Sequence, residues 1–255
     1  MNVQFEPVPI EDIRQEIGAH IAALPGPVDS FYEDHVLLSN HARIVIGGQY
    51  AGHAAIHDES LITFFSLKPG FLAYGEAVFN ALRRREQVTS TYIPTCDEFF
   101  LVHALDDYRK LTPQARLFRH DHARMPMMVP DNLTLRPASH SDAELLGEAS
   151  SFFDRIDQRI EAGELFVLER DGERAGFGIR EMSRLVPGRA SIGMFTREEQ
   201  RQQGVGSAIV ALLIQRCREE GVEPVSGCWY YNHRSRRALE RAGMNSTTRL
   251  LKFEF

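Results

Sequence analysis

The alternation of apolar and polar residues predicts a regular succession of strands and helices in the second half of the chain. Residues 132–137 alternate with the period of a half-buried strand, and residues 141–160 have the 3.6-residue period of an amphipathic helix. Asp171-Gly172, between two apolar segments, predicts a hairpin turn. The other predicted strands are 165–170, 175–181, 190–196, 223–231 and 249–255, and the other predicted helices are 205–220 and 235–242.

The first half of the chain repeats this order of elements. Residues 48–54 match residues 172–178, and the apolar segment 61–67 matches the strand at 190–196. Chance similarity between two α/β halves is the alternative, but the matches occur in one order, which favours an internal duplication. A two-copy α/β fold with mixed sheets follows. The further matches are 74–78 with 205–209, 88–92 with 225–229, and 115–119 with the final strand.

A linker near the middle of the chain separates the two copies. Residues 119–131 contain two prolines and have the period of neither a strand nor a helix. The predicted domains are therefore residues 1–125 and residues 130–255.

Composition narrows the class of protein. The 255 residues have a net charge of −6 and a pI of about 5.9, whereas a general nucleic-acid binder is usually basic. The three cysteines, at irregular spacing, fit neither a disulfide framework nor a zinc site. No signal peptide is recognised at the start, and no apolar segment approaches the roughly 18 residues that span a membrane. We therefore expect a cytoplasmic protein that binds neither nucleic acid nor membrane.

The histidines do not form a metal-binding pattern. His53 and His57 lie four residues apart on a strand-like segment, where that spacing does not make a helical pair. His120 and His122 lie in the linker. We expect structural or solvated roles for all four and no metal cofactor.

The most informative segment joins the strand at 190–196 to the helix at 205–220. Two of its glycines lie at the start of a helix directly after a strand. A helix N-terminus presents unpaired backbone N–H groups and the positive end of the helix dipole. Glycine lets a phosphate approach that backbone closely, and one arginine and two glutamines add side-chain donors. The segment, which predicts a diphosphate-binding loop, reads Arg201-Gln202-Gln203-Gly204-Val205-Gly206-Ser207.

Two other diphosphate loops do not match this segment. A Rossmann fingerprint requires a third glycine and a later acidic residue, and a P-loop requires Gly-Lys followed by Ser or Thr. Arg-x-x-Gly-x-Gly after a strand and at the start of a helix instead resembles the acyl-coenzyme A motif of the GNAT superfamily of N-acetyltransferases. Met194-Phe195-Thr196 lies where the cofactor-pairing strand of that family ends.

The resemblance implies a fold, a cofactor and one set of binding residues. Each domain is expected to be GNAT-like, with a mixed, mostly antiparallel central sheet flanked by helices, in an α/β (α+β) protein. Acetyl-CoA is the implied co-substrate, and the amine of a small molecule is the implied acceptor. The residues expected to bind the cofactor here are Met194, Phe195, Thr196, Arg201, Gln202, Gln203, Gly204, Val205, Gly206 and Ser207.

A second segment agrees with the resemblance. In the family an asparagine after the fifth strand begins a short helix and contacts the pantetheine arm, and Asn232 has this position, with Gly243-Met244 ending the helix. Asn232 and Ser235 are therefore also expected to bind the cofactor. Asn232 is equally typical of a plain helix N-cap. The arginines on this helix can reach a 3′-phosphate or form a solvated face; they are Arg234, Arg236, Arg237 and Arg241.

The sequence departs from the family pattern at the catalytic groups. The family often has a tyrosine seven residues after the asparagine as the general acid, and here that residue is Leu239. Tyr231, on the neighbouring strand, is the substitute that we select, although Tyr230, Cys228 and simple core packing remain alternatives. Glu181 is our candidate base, with Glu164 as the alternative. The loop 182–189 is expected to border the acceptor cleft.

The first copy lacks the motif. Gly70 and Ala73 stand where Arg201 and Gly204 would be, so we expect this half not to bind the cofactor tightly. The sequence then predicts an acetyl-CoA-dependent N-acetyltransferase with one site per chain, as a monomer or homodimer. A non-catalytic acyl-CoA sensor is the alternative, and a weaker one is assembly through an apolar edge strand at the C-terminus.

Overall fold

Two compact units make up the computed structural model, and the first of them takes residues from both ends of the chain. The structure describes residues 2–85, 87–147 and 154–255. The first unit comprises Met1–Leu117, Arg184–Val186 and Thr247–Phe255, and the second comprises Phe118–Ser183 and Pro187–Ser246. The last nine residues and residues 184–186 thus belong to the first unit, although they follow the linker in sequence.

The first unit has helices on both faces of a sheet. One face packs under α3 and α4, and the other under α1 and α2, because neighbouring residues such as Phe65 and Phe64 point to opposite faces. Its elements are β1 (Val3–Pro7), α1 (Arg14–Ala23), α2 (Ser30–Leu37), β2 (Asn40–Ile46), β3 (Gln49–His57), β4 (Leu61–Leu67), α3 (Gly75–Arg83), β5 (Ser90–Pro94), α4 (Glu98–Leu105) and β6 (Lys110–His120).

The second unit repeats this arrangement. The capping box of Ser139 and Asp142 fixes the backbone that leads into its first helix. Its elements are β7 (Leu133–Pro137), α5 (Ala143–Gly147), α6 (Ile156–Glu161), β8 (Leu165–Arg170), β9 (Glu173–Met182), β10 (Arg189–Thr196), α7 (Val205–Glu219), β11 (Glu223–Trp229) and α8 (His233–Arg241). The last strand, β12 (Met244–Glu254), begins in the second unit and lies in the first from Thr247 onward.

The first five strands of each unit have the same order. The first has the order β1-β2-β3-β4-β5-β12-β6, and the second has the order β7-β8-β9-β10-β11. Pairing is antiparallel along β1 to β4 and along β7 to β10, while β4–β5 and β10–β11 are parallel. The predicted fold class, a mixed sheet flanked by helices and present twice, is confirmed.

Most of the predicted elements of the second half occur within a few residues of their predicted bounds. Asp171 and Gly172 have φ angles of 52° and 83°, as a two-residue hairpin turn requires. The helix predicted at 141–160 is observed as a 3₁₀ turn, α5 and α6; residues 148–153 of that prediction lie outside the described residues. The strand predicted to 231 ends at Trp229, so Tyr231 lies in the turn that follows β11.

The C-terminal strand is not an edge strand, so the assembly hypothesis built on an exposed edge is wrong. In the first unit β12 lies between β5 and β6, and its register with β5 places Phe253 opposite Thr91. Phe253 is fully buried in the core under α3 and α4. Both backbone edges of this strand therefore face other strands, which removes the surface that an edge-pairing partner would need.

Residues 184–186, in the loop predicted to border the acceptor cleft, form part of the first unit. Leu185 and Val186 are buried in the core under α1 and α2. Glu33 accepts a short hydrogen bond from the Arg184 backbone N–H. Gly18 lies so close to the Leu185 carbonyl that a Cβ there would meet its oxygen at 2.3 Å. Core packing, rather than solvent, therefore fixes the middle of this loop.

Candidate active site

The predicted diphosphate loop lies between β10 and α7. A 3₁₀ turn, Glu198–Gln200, is followed by Arg201 in an extended conformation and by Gly204 at φ +83°, the N-cap of α7. Only glycine adopts this left-handed conformation without strain. Gly204 has no side chain to cap the helix, so the first N–H groups of α7, at Val205, Gly206 and Ser207, are not capped by it. These groups and the helix dipole form a site suited to an anion.

A second glycine keeps the space beside the loop open. A Cβ on Gly206 would lie 3.2 Å from Thr196 Oγ1, 3.6 Å from Ala238 Cβ and 3.8 Å from Met194 Cγ. These contacts bring together the end of β10, the start of α7 and the middle of α8. Any larger side chain at 206 would narrow the opening that these three elements share.

The strands β10 and β11 diverge beside this loop. Their parallel register covers only Arg189–Ser191, paired with Glu223–Val225. At the next residue the Ser226 hydroxyl donates to the Ile192 carbonyl at 2.7 Å, so a side chain bridges the strands where backbone pairing ends. β10 nevertheless continues to Thr196 along β9. Between Met194 and Trp229 the two strands therefore leave a wedge-shaped opening.

The backbone groups of β10 that face this opening follow from strand periodicity. Since the Ile192 carbonyl points towards β11, the backbone N–H and C=O groups of Met194 and Thr196 point to the same side. Phe195 points its backbone towards β9, and its ring stacks on Phe177 with centroids 6.1 Å apart. Met194 is therefore the residue of β10 best placed to present an N–H to a bound ligand.

The side chains of the loop have different degrees of freedom. The exposed Arg201 donates from Nε to the Thr196 carbonyl at 3.3 Å and lies 3.6 Å from the Glu198 carboxylate. Gln202 is exposed at φ +64°. Gln203, predicted to be a phosphate donor, is already bonded within the protein: its Nε2 donates to the Glu199 carbonyl at 2.9 Å, and its Oε1 accepts from Arg170. Arg201 and Gln202 are thus more available to a ligand than Gln203.

The short helix α8 follows the opening on the β11 side. The Asn232 Oδ1 accepts from the Ser235 backbone N–H at 3.0 Å, which confirms the N-cap interpretation. Because that bond uses the carbonyl oxygen, the NH2 group is the part of Asn232 that can donate to a ligand. Leu239, at the position of the family tyrosine, is fully buried in the core under α7 and α8.

The predicted acid and base lie in different surroundings. Tyr231 is half exposed, with its ring 5.2 Å from that of Trp229 and 5.1 Å from that of Tyr230. Glu181 lies opposite Ser191, the last residue of β10 that pairs with β11. Its Oε1 accepts from Arg159 Nη1 at 2.6 Å. None of these contacts joins Tyr231 to Glu181.

Arg159 of α6 joins three carboxylates. Besides Glu181 it bonds to Glu164 at 2.8 Å and to Asp154 at 2.8 and 3.0 Å, and it is about nine-tenths buried. Burial alone would lower the pKa of Arg159, but its hydrogen bonds to Asp154 and Glu181 raise it. The hydrogen bond to Arg159 is the main reason that the pKa of Asp154 is lowered. Glu181 is therefore held beside a permanent positive charge.

The first unit has the same elements but fills the corresponding space. The 3₁₀ helix Pro69–Tyr74 leads directly into α3, and the Gly75 N–H bonds to the Leu72 carbonyl. A Cβ on Gly75 would lie 2.1 Å from His103 Nε2. Counted from the helix N-caps Asp97 and Asn232, His103 has the position of Ala238. An imidazole ring thus occupies the space that a methyl group leaves free in the second unit.

Aromatic rings extend this filling along β4. Phe65 has the position of Met194 and stacks on Phe99, with centroids 5.5 Å apart and planes at 19°. Phe79, Phe100 and His103 also lie within 6.0 Å of its ring centroid. Among the described residues, α3 and α7 both start without a side-chain cap, and the two units differ in the aromatic rings that fill the space beside β4.

Comparison with known families agrees with this geometry in both units. The Acetyltransferase (GNAT) domain model matches residues 9–121, and the Acetyltransferase (GNAT) family model matches residues 131–244. The chain belongs to the GNAT superfamily. It is a tandem GNAT protein, and the duplication predicted from the ordered sequence matches is confirmed.

Solved structures show that the GNAT fold covers the whole chain. A GNAT-family acetyltransferase from Colwellia psychrerythraea is 16% identical, with a TM-score of 0.87 over 100% of both chains. A tandem GNAT protein from the clavulanic acid biosynthesis pathway is 15% identical, with a TM-score of 0.65 over 100% of this chain and 98% of that one. A GCN5-related N-acetyltransferase from Sphaerobacter thermophilus is 16% identical, with a TM-score of 0.66 over 99% and 95%. No curated protein matches the sequence.

Two arginines near the site were not recognised from the sequence. Arg170 bonds to the loop from 30 and 33 residues away, and Arg159 bonds to Glu181 from 22 residues away. No local pattern indicates such pairs, because each arginine is one of many on a surface strand or helix. Across the described residues, no helix is long and apolar enough to cross a membrane, and no cluster of His, Cys, Asp or Glu is arranged to hold a metal ion.

Proposed function

We propose that this GNAT protein transfers an acetyl group from acetyl-CoA to the amine of a small molecule, at one site in the second unit. The observation that carries the proposal is the combination of an uncapped helix start with Gly204 at φ +83° and the divergence of β10 from β11. The first feature suits a diphosphate, and the second leaves a strand edge open for an extended arm. The fold itself supports acyl transfer, and the family is one of acetyltransferases.

The residues of the second unit fit the parts of acetyl-CoA. The N–H groups of Val205, Gly206 and Ser207, with Arg201, would hold the diphosphate, and Gln202 would add a donor. The backbone of Met194 and Thr196, with Asn232 at the start of α8, would hold the pantetheine arm. Phe195 would keep β10 in place through its ring contact with Phe177, and the Ser235 N–H would hold the Asn232 side chain. Acetyl-CoA supplies an acetyl thioester when it is bound.

The chain supplies few groups to the reaction itself. The Met194 N–H faces the opening and is the donor that we assign to the thioester oxygen, where negative charge develops during attack; a donor of this kind contributes about 3 kcal/mol. A free alkyl ammonium has a pKa near ~10, so its proton must leave before attack. We assign its removal to Glu181, directly or through water, because the register places Glu181 where the strands diverge. Tyr231 is the candidate proton donor.

The first unit has a different role in this proposal. Its α3 follows a 3₁₀ helix and not a glycine-containing loop like that before α7. Phe65, which corresponds to Met194, lies inside an aromatic cluster. We infer that this copy is degenerate and serves as a structural partner, while the second unit binds the co-substrate.

A screen of amines tests the proposed function. Purified full-length protein is incubated with acetyl-CoA and a panel of primary amines, and released CoA thiol is detected. We expect thiol release that depends on a particular amine, together with the acetylated amine by mass spectrometry. Glu181→Gln should lower that turnover, whereas Asp154→Asn, which changes another carboxylate on Arg159, is the matched control and should leave it unchanged. Tight CoA binding with no turnover on a broad panel would instead favour an acyl-CoA sensor.

A further inference from the structure

Arg170 connects the β8–β9 hairpin to the cofactor loop. It is the last residue of β8, directly before the Asp171-Gly172 turn. Its Nη1 donates to Gln200 Oε1 at 3.1 Å and also to Gln203 Oε1, and its Nη2 donates to the Gln203 carbonyl at 3.0 Å. One guanidinium therefore bonds to three acceptors on two residues of the loop.

The bond to the Gln203 carbonyl fixes more than that oxygen. The carbonyl of Gln203 and the N–H of Gly204 belong to one planar trans peptide, so they point in opposite directions. When Arg170 holds the carbonyl on its own side, the Gly204 N–H points away from Arg170. The next residues form the first turn of α7, so the direction of their N–H groups depends on the conformation of this peptide.

The side chain of Gln203 is fixed by the same arrangement. Its oxygen accepts from Arg170, and its Nε2 donates to the Glu199 carbonyl. Both ends of this side chain are thus used to hold the loop in shape. A loop held in its binding conformation loses less entropy when a ligand binds, and the ligand consequently binds more tightly.

We propose that Arg170 is a positioning residue for the CoA diphosphate, which holds the Gln203–Gly204 peptide so that the N–H groups at the start of α7 face the ligand. This inference rests on the proposed function of the loop. Arg170 acts through the loop and contacts no ligand in this role. Its planar fork of donors is essential, because the single ammonium of a lysine cannot hold a side-chain oxygen and a backbone oxygen in the same geometry.

Calorimetric titration of the full-length protein separates positioning from charge. The ligands are CoA and pantetheine, which lacks the diphosphate, and the variants are Arg170→Met and Arg170→Lys. Arg218→Met is the control, since Arg218 is exposed in the last turn at the other end of α7 and its removal changes net charge equally. We expect both Arg170 variants to raise the dissociation constant for CoA at least tenfold, with little change for pantetheine or in Arg218→Met.

Three results would overturn this inference without affecting the proposed function. Wild-type affinity for CoA in Arg170→Lys would show that only charge matters. Wild-type affinity in both variants would show that Arg170 has no role. Equal weakening of CoA and pantetheine, with a lower Tm, would show a general structural role. Should Arg170→Met fail to fold, Arg170→Gln keeps one planar donor and gives the same comparison. Wild-type protein that binds no CoA would refute the proposed function itself.

Discussion

At the residue scale, the candidate site depends on positions that have no side chain, a small side chain, or a side chain buried away from the site. Gly204 and Gly206 leave the backbone at the start of α7 accessible, and Ala238 leaves space where the first unit has His103. Leu239, at the position of the family tyrosine, is buried in the core, and its hydrocarbon side chain has no proton to donate.

Gly204→Val tests the left-handed turn at the start of α7. A Cβ at 204 meets no atom within 4 Å, so the cost arises from the φ of +83°, roughly 1–2 kcal/mol. Gly221 is a matched control at the other end of the helix, with φ +69° and equally open surroundings. We expect Gly204→Val and Gly221→Val to lower the Tm similarly, while only Gly204→Val raises the dissociation constant for CoA at least tenfold. Equal CoA affinity in the two variants would refute the assignment of the loop.

His53 makes the stability of the first unit dependent on pH. Burial, opposed by the nearby Glu16 and supported by Lys68, Arg43 and His41, lowers the pKa of His53 to about 4. Its ring also makes a short hydrogen bond with the Tyr50 hydroxyl. The unfolded chain takes up this proton near its ordinary pKa of about 6.5, so the free energy of unfolding falls as the pH drops from about 6.5 to about 4.

His53→Gln tests this dependence. The variant should lose less stability between pH 6.5 and pH 4 than the wild type, by on the order of 2 kcal/mol, because the buried group that must stay neutral is gone. The measurement is the thermal midpoint across this pH range, with His140→Gln, at an exposed histidine, as the control. Parallel pH profiles for wild type and His53→Gln would contradict the account.

At the element scale, the sequence predicts what local chemistry determines. The turn at Asp171-Gly172 and the strand at 61–67 follow from short-range patterns, and the structure shows both. The helical spacing also predicts one apolar face of α7; four of its members are buried and Leu212 is only partly buried, the full set being Val205, Ile209, Leu212, Leu213 and Cys217. The partner of β12 could not be predicted in this way. An alternating strand fits any sheet with a matching apolar face, and the choice of β5 depends on contacts about 160 residues apart in the sequence.

Phe253→Ala tests whether β12 stabilises the first unit. Removal of a fully buried phenylalanine costs about 3–5 kcal/mol because it leaves a cavity in the core under α3 and α4. We expect faster hydrogen exchange in peptides that contain β4 and β5, measured by mass spectrometry. Phe31→Ala removes an exposed ring from the same unit and is the control. Unchanged exchange in β4 and β5 after Phe253→Ala would show that β12 is not needed there.

At the scale of the whole molecule, one fold occurs twice, and we propose a cofactor site in the second copy. The duplication was readable from the sequence because matching segments keep their order. The sequence predicts that the first copy lacks the cofactor loop, because Gly70 and Ala73 stand at the positions of Arg201 and Gly204. The aromatic cluster around Phe65 was not, since five rings that meet in space come from β4, α3 and α4. We therefore expect the two copies to differ in function because they differ in the side chains beside β4 and β10.

The stoichiometry of CoA binding tests this central claim most directly. Native mass spectrometry of the intact chain with excess CoA counts the ligands bound per chain. One CoA per wild-type chain, with a much lower occupancy in Gly204→Val at the same CoA concentration, is the result that the account predicts. Two CoA molecules per wild-type chain, or the same occupancy in Gly204→Val as in the wild type across a CoA titration, would contradict it.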